Sequence, residues 1–227
     1  MKPYRHELKY YISQIEYELL SRKLSLTMNR DKFALKDGKY FIRSLYFDNL
    51  DNDAISEKLD GEDKRDKYRL RIYNLKDDVI KLEQKHKQGS FIQKNSLSIT
   101  RAECDALIEG DYTPLLRRNE QLAKQFYAIF RLQNLKPCVI VDYWREAYVF
   151  PVEDVRITFD LDVRTAYRAT GIFDPELPTY PATEQGYTVL EIKFNRYLPG
   201  YIRALIQPIE NAQRSAISKY CLSRKYE

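Results

Sequence analysis

Alternation of apolar and polar residues with period two recurs along most of this chain. It predicts strands over 4–12, 40–48, 67–73, 79–87, 91–99, 136–150, 155–162 and 187–194. Turn-forming Asn, Asp, Gly and Ser at 74–78 and 88–90 separate three of these strands and predict a meander. Helical signals fall between and after the strands. Ser13 with Glu16, and Thr100 with Glu103, have capping-box spacing, in which the hydroxyl and the carboxylate each accept a free backbone N–H. They predict helices over 14–28 and 101–108. Leu122, Phe126, Ile129 and Phe130 predict another within 116–135, and 211–223 is a candidate C-terminal helix. Gly171, Pro175, Pro178, Pro181 and Gly186 mark 170–186 as a long loop and a candidate lid. Eight strands with local pairings point to a barrel or a pair of packed sheets. With no linker, repeat or composition break, residues 1–227 read as a single domain.

Composition narrows this picture. Hydrophobic residues at 44% and charged ones at 31% describe a globular chain, and the 19 Tyr suit sheets. A net charge of +5 is too small to indicate nucleic acid, so the arrangement of charges has to carry the functional reading. Cys104, Cys138 and Cys221 are far apart and odd in number, which points to a reducing, cytoplasmic compartment. Arg5, His6, Glu7 and Lys9 interrupt any signal-like apolar segment, and no stretch approaches the roughly 18 apolar residues of a membrane span. Any membrane link would need a membrane-protein partner.

The charges form ladders. Arg5, Glu7 and Lys9 share one face of the first strand, opposite Leu8, Tyr10 and Ile12. Lys67, Arg69 and Arg71 oppose Tyr68, Leu70 and Ile72, and Lys81, Glu83, Lys85 and Lys87 line up in the next strand. Arg156, Asp160 and Asp162 follow, then Glu191 and Lys193 opposite Leu190, Ile192 and Phe194. For a single strand, one solvated face explains this pattern. Repeated over several strands, it places like charges about 7 Å apart, each pair repelling by about 2 kcal/mol at an effective dielectric near 20. Enclosed, such rows require an anion, and a polyphosphate presents charges at matching intervals. The 7 glycines form no phosphate-cradling loop motif, so side chains would have to hold the phosphates. His6 and His86 are isolated, and no nucleophilic triad or HExxH motif is present.

These ladders resemble a known family. Arg5-His-Glu7-Leu-Lys9 is similar to the E-x-E-x-K signature of the triphosphate tunnel metalloenzymes, the CYTH-like superfamily. SLYFDN (44–49), LDGEDKRDKYRLRIYN (59–74), LEQKHK (82–87), DYWREAY (142–148), VRITFDLD (155–162), VLEIKF (189–194) and SKY (218–220) resemble, in order, the VTC domain. That is the polyphosphate polymerase domain of the vacuolar transporter chaperone complex. The resemblance implies an α+β fold, a mainly antiparallel eight-stranded β tunnel with helices packed outside. It also implies transfer of the ATP γ-phosphate onto a growing inorganic polyphosphate chain, with Mn²⁺ or Mg²⁺.

Carried over position by position, Lys9, Arg69, Arg71, Lys85, Lys94, Arg145, Arg156 and Lys193 bind phosphate, and Arg5 joins them. Glu191 is the metal ligand, with Glu7, Asp160 and Asp162 as further candidates, and Ser218 and Lys219 contact phosphate. Lys9, Arg69, Arg71, Lys193 and Glu191 form the catalytic set. Arg5 stands where the signature has its first glutamate, and Ala216 where the polymerases have a basic residue, which implies that one phosphate contact is either missing or supplied by Arg214. Three rival readings stay open: a tunnel triphosphatase using water as acceptor, a non-catalytic polyphosphate or nucleotide-binding module, and a single-strand nucleic-acid binder. The last would need aromatic residues on the basic face to stack bases, whereas Tyr68 alternates away from it.

Overall fold

The structure, a computed structural model, describes residues 6–89, 91–210 and 217–224. Its strands and helices run β1 (His6–Ser13), α1 (Gln14–Thr27), β2 (Asn29–Arg30), β3 (Lys39–Asp48), α2 (Asp53–Leu59), β4 (Lys64–Tyr73), β5 (Lys76–Gln88) and β6 (Phe91–Ile99). Then follow α3 (Arg101–Glu109), α4 (Thr113–Leu116), α5 (Gln121–Leu132), β7 (Lys136–Phe150), β8 (Val155–Tyr167), β9 (Tyr180–Pro181), β10 (Tyr187–Phe194), α6 (Gly200–Glu210) and α7 (Lys219–Leu222). The class is α+β. The eight expected strands are all present, and β2 and β9 are additions of two residues each.

The described residues fall into two compact units. The first takes them from 1–41, 143–164 and 181–222. Its strand order is β1-β10-β8-β7, with β2 on β7 and β9 on β8. Tyr10, Ile12, Ile157, Phe159, Leu190 and Ile192 turn one sheet face toward Tyr17, Leu20 and Leu24 of α1 and Ile202 and Ile206 of α6. Ser13 and Glu16 close the expected capping box at the start of α1. Glu146, on the same side, accepts hydrogen bonds from Tyr17 Oη at 2.7 Å and Tyr148 Oη at 2.6 Å, tying α1 to β7.

The second unit takes the described residues of 42–142, 165–180 and 223–227, with β7-β3-β4-β5-β6 in order. Leu45, Phe47, Tyr68, Leu70, Ile72 and Leu82 face Cys104 and Leu107 of α3 and Phe126 and Phe130 of α5. Thr100 and Glu103 form the second capping box. The β4–β5 turn is tighter than the sequence suggests. Asn74 and Leu75, both at positive φ (52° and 56°), make a two-residue connection, so β5 starts at Lys76 and absorbs Asp77 and Asp78. Leu75 packs against the core, which offsets its backbone strain.

Other differences have identifiable causes. The helix expected within 116–135 is α5; the short α4 before it is an addition, and Arg118 between the two bridges Glu103 and Glu120. Pro199, Gly200 and Pro208 disguise α6, and α2 is too short to show a period. Loop residues 170–177 are anchored by Ile172, which is buried in the second core, and by Arg43 Nη1, which donates to Asp174 O at 2.5 Å. That segment is packed down and does not stand as a free lid. Of the C-terminal helix expected over 211–223, residues 211–216 lie outside the described residues, and α7 occupies Lys219–Leu222.

Candidate functional site

In the first unit, strand register assembles the polar face row by row. Glu7 lies opposite Lys193, which lies opposite Arg156; Lys9 lies opposite Glu191, which lies opposite Thr158. Direct antiparallel partners share a face, with Cβ atoms about 5 Å apart, so charges alternate between β1 and β10, whereas Lys193 faces the like-charged Arg156 on β8. The Lys9 ammonium is 2.9 Å from Glu7 Oε1 and 3.9 Å from Glu191 Oε2. Lys193 pairs with Glu191 Oε1 and sits 4.0 Å from Glu7 Oε2. Burial alone would raise the Glu191 pKa, but Lys193, Lys9, Lys219 and Arg145 outweigh it and hold the carboxyl well below its usual range. The same pairing acts in reverse on Lys9: burial lowers its pKa, while Glu191 and Glu7 overcome that and raise it.

Asp160 is fully buried. Its oxygens accept from Arg145 Nε at 2.6 Å and Nη2 at 2.9 Å, and Lys219 pairs with it as well. Burial works to raise its pKa, yet Arg145 and Lys219 bring it down to about 2. Asp160 thus holds two cations in place. Tyr143 supports the same pair: Arg145 lies 5.2 Å and Lys219 4.8 Å from its ring. Arg156 pairs with Asp31 and donates to Tyr40 Oη at 3.1 Å. Ser218 caps α7, its Oγ accepting from Cys221 N at 3.4 Å.

In the second unit the corresponding face is more basic. Tyr46, Arg69, Glu83 and Ser96 form one cross-strand row, and Ser44, Arg71, Lys81 and Ser98 the next. A third, Lys67–Lys85–Lys94, is ammonium throughout. Arg69 donates from Nε to Glu83 Oε2 at 2.9 Å and from Nη1 to Tyr46 Oη at 2.8 Å. Lys94 reaches Glu83 Oε1 at 2.5 Å, and Arg71 lies 3.9 Å from Oε2 and donates to Ser44 Oγ at 3.1 Å. Burial would raise the Glu83 pKa, but Arg69, Arg71 and Lys94 hold it far below the usual carboxylate range.

The chain can now be placed. The family model described as the VTC domain matches residues 4–226. The chain belongs to the VTC domain family. Solved structures share the fold at low identity. A candidate adenylate cyclase from Bacillus halodurans has a TM-score of 0.58 at 12% identity, covering 99% of this chain and 97% of that one. A candidate adenylyl cyclase from Hippeastrum, described as having a dominant triphosphatase activity, gives 0.54 at 16%, covering 97% and 96%. A candidate adenylate cyclase from Vibrio parahaemolyticus gives 0.52 at 9%, covering 98% of each chain. No curated protein matches.

As a VTC domain, the chain carries the expected residues in two groups. Lys9, Arg145, Arg156, Lys193, Lys219, Glu7 and Glu191 come together in the first unit, and Arg69, Arg71, Lys85 and Lys94 in the second. Asp162 does not join either. It is exposed, its backbone is at φ 46°, and it lies 3.6 Å from Arg164. Arg5, Arg214 and Ala216 lie outside the described residues. The sequence reading missed Tyr40, Ser44 and Tyr46, which alternate along β3 and carried the period-two signal without charge. Asp31 and Tyr143 gave no such signal.

The VTC family uses divalent metal ions, and the residues present fit one held jointly with a substrate. Among the described residues no group of three or more metal-ligating side chains exists. Glu191 and Glu7 nevertheless offer hard carboxylate oxygens beside the same two lysines, with Glu191 buried and its Oε1 paired with Lys193. Mg²⁺ and Mn²⁺ are commonly bound in this way, by one or two carboxylates plus phosphate oxygens.

Proposed function

We propose that this VTC domain is a metal-dependent phosphotransferase that moves the γ-phosphate of ATP onto a growing inorganic polyphosphate chain in a basic tunnel. The observation that carries this reading is the second unit's face, where Lys67, Lys85 and Lys94 form an all-ammonium row beside Arg69 and Arg71. Such a row presents cations at intervals that match the charges of a phosphate chain. Arg69 and Arg71, each with a guanidinium fork partly fixed by Tyr46 or Ser44, would hold phosphate oxygens in a set orientation. Glu191 and Glu7 would hold the divalent ion, which supplies charge neutralisation on the transferring phosphoryl group. Lys9 and Lys193 would steady the same charge. The acceptor, a terminal phosphate oxygen, is already anionic, so no strong general base is required, and catalysis is positioning plus electrostatics. ATP and polyphosphate are the partners, and both units act as one functional domain in the cytoplasm.

Water as acceptor is the second reading. It is favoured by the likeness to the Hippeastrum protein described as having a dominant triphosphatase activity. Arg5, in place of the signature's first glutamate, speaks for the polymerase instead. The test is incubation of purified protein with ATP and Mn²⁺, with and without short polyphosphate, resolving ADP, phosphate and polymer. Polymer with matching ADP is the expected result. Free phosphate or tripolyphosphate without polymer makes the protein a hydrolase, and ATP binding without turnover makes it a binding module.

A further inference from the structure

Three buried side-chain oxygens have no hydrogen-bond partner among the described residues: Asp31 Oδ2, Thr158 Oγ1 and Glu191 Oε1. Asp31 is charged and pairs with Arg156, and Glu191 is charged and pairs with Lys193. Thr158 has no charge to pair. It is 4% exposed, and an unsatisfied hydroxyl at that depth costs free energy that a methyl group would not.

Its place in the sheet explains why a hydroxyl is there. Thr158 on β8 is the direct antiparallel partner of Glu191 on β10, so both side chains rise from the same face about 5 Å apart at Cβ. The Thr158 hydroxyl therefore faces, without a partner of its own among the described residues, a carboxylate paired with Lys193, and a small hard cation seated on that carboxylate would satisfy the hydroxyl as well. The same pairing of a hydroxyl with a carboxylate and phosphate oxygens serves Mg²⁺ in nucleotide-binding loops. Lys9, two strands from Thr158 in the same row, and Lys193 supply the positive charge that now faces Glu191.

We propose that the Thr158 hydroxyl is a further oxygen ligand of the divalent cation held by Glu191. The assignment rests on the metal-dependent reading above, and it makes Thr158 part of the cation seat rather than of the phosphate rows.

The test measures Mn²⁺ binding to the full chain with a non-hydrolysable ATP analogue bound, by electron paramagnetic resonance, beside thermal melting in chelator. Thr158→Val keeps the shape and removes the oxygen, while Thr158→Ser keeps the oxygen. Thr158→Val is expected to weaken Mn²⁺ binding about tenfold or more, with Thr158→Ser close to the parent. In chelator, Thr158→Val is expected to melt at the same temperature or higher, because an unpaired hydroxyl has been removed. Unchanged Mn²⁺ affinity in Thr158→Val, while Glu191→Gln loses it, overturns this assignment and leaves the metal reading standing. A clear drop in metal-free melting temperature, or failure to fold, shows that the hydroxyl serves the fold and also overturns it. Absence of Mn²⁺ binding in the parent protein removes the metal reading and this assignment with it.

Discussion

The polar faces of the two units are built on one plan and differ in charge balance. Each is an antiparallel sheet whose other face is sealed by helices, so every second residue is committed to a core. In the first unit Glu7, Glu191, Asp160 and Asp31 are interleaved with Lys9, Lys193, Arg145, Arg156 and Lys219, and most cations have a carboxylate beside them. In the second, Arg69, Arg71 and Lys94 converge on Glu83, next to a row of lysines. Alternating charge stabilises a face by itself and leaves carboxylate oxygens to offer a metal. An excess of positive charge suits the face to an incoming anion. In the proposed function, the metal would be held in the first unit and the more basic phosphate-binding rows would lie in the second.

The sharpest way to break that division is to remove one residue from each set. Glu191→Gln is expected to lower turnover about 100-fold or more while leaving metal-free ATP binding nearly intact. Arg69→Ala should do the reverse, weakening ATP binding by about 1.5–3 kcal/mol, the range for a hydrogen bond to a charged group. Steady-state assays and calorimetry separate these outcomes. Full activity in Glu191→Gln sinks the metal assignment, and unchanged affinity in Arg69→Ala removes that residue from the phosphate site.

Glu83 tests whether the second face lacks negative charge. Glu83→Gln leaves Arg69, Arg71 and Lys94 without their common partner and is expected to cost about 3 kcal/mol of stability. Added tripolyphosphate should then raise the melting temperature of the variant more than that of the parent. Equal shifts would mean that Glu83 does not compete with anions for these cations.

Acid reads the first face. Asp160 titrates near 2 in the folded protein against an ordinary 3.8, so the unfolded chain binds its proton first. Its contribution, on the order of 2 kcal/mol, is complete above about pH 4 and is lost as pH falls toward 2. The depressed Glu191 and Glu83 act in the same direction. Stability measured by denaturant titration should therefore decline below pH 4, with a shallower decline in Asp160→Asn. An identical acid limb in that variant refutes the pairing.

The smallest effects should be alike in the two units. Ser13→Ala and Thr100→Ala each remove one capping box and are each expected to cost about 1 kcal/mol. A much larger loss from either would show that its helix carries more of its unit than capping alone.

Period-two alternation and the capping boxes are local properties, and the sequence alone was enough to locate the strands over 91–99, 136–150 and 187–194 and the starts of α1 and α3. It also determined which face of each strand is charged, because alternation follows from backbone geometry. Partners across strands are not local. Asp160 and Asp162 look equivalent in sequence, yet positive φ at Asp162 turns it out to solvent while Asp160 sits buried between Arg145 and Lys219. Thr158 is one more alternating residue until the register sets it opposite Glu191. Only the tertiary structure made these distinctions, because pairing energy depends on distance and burial, and both are fixed when the strands register.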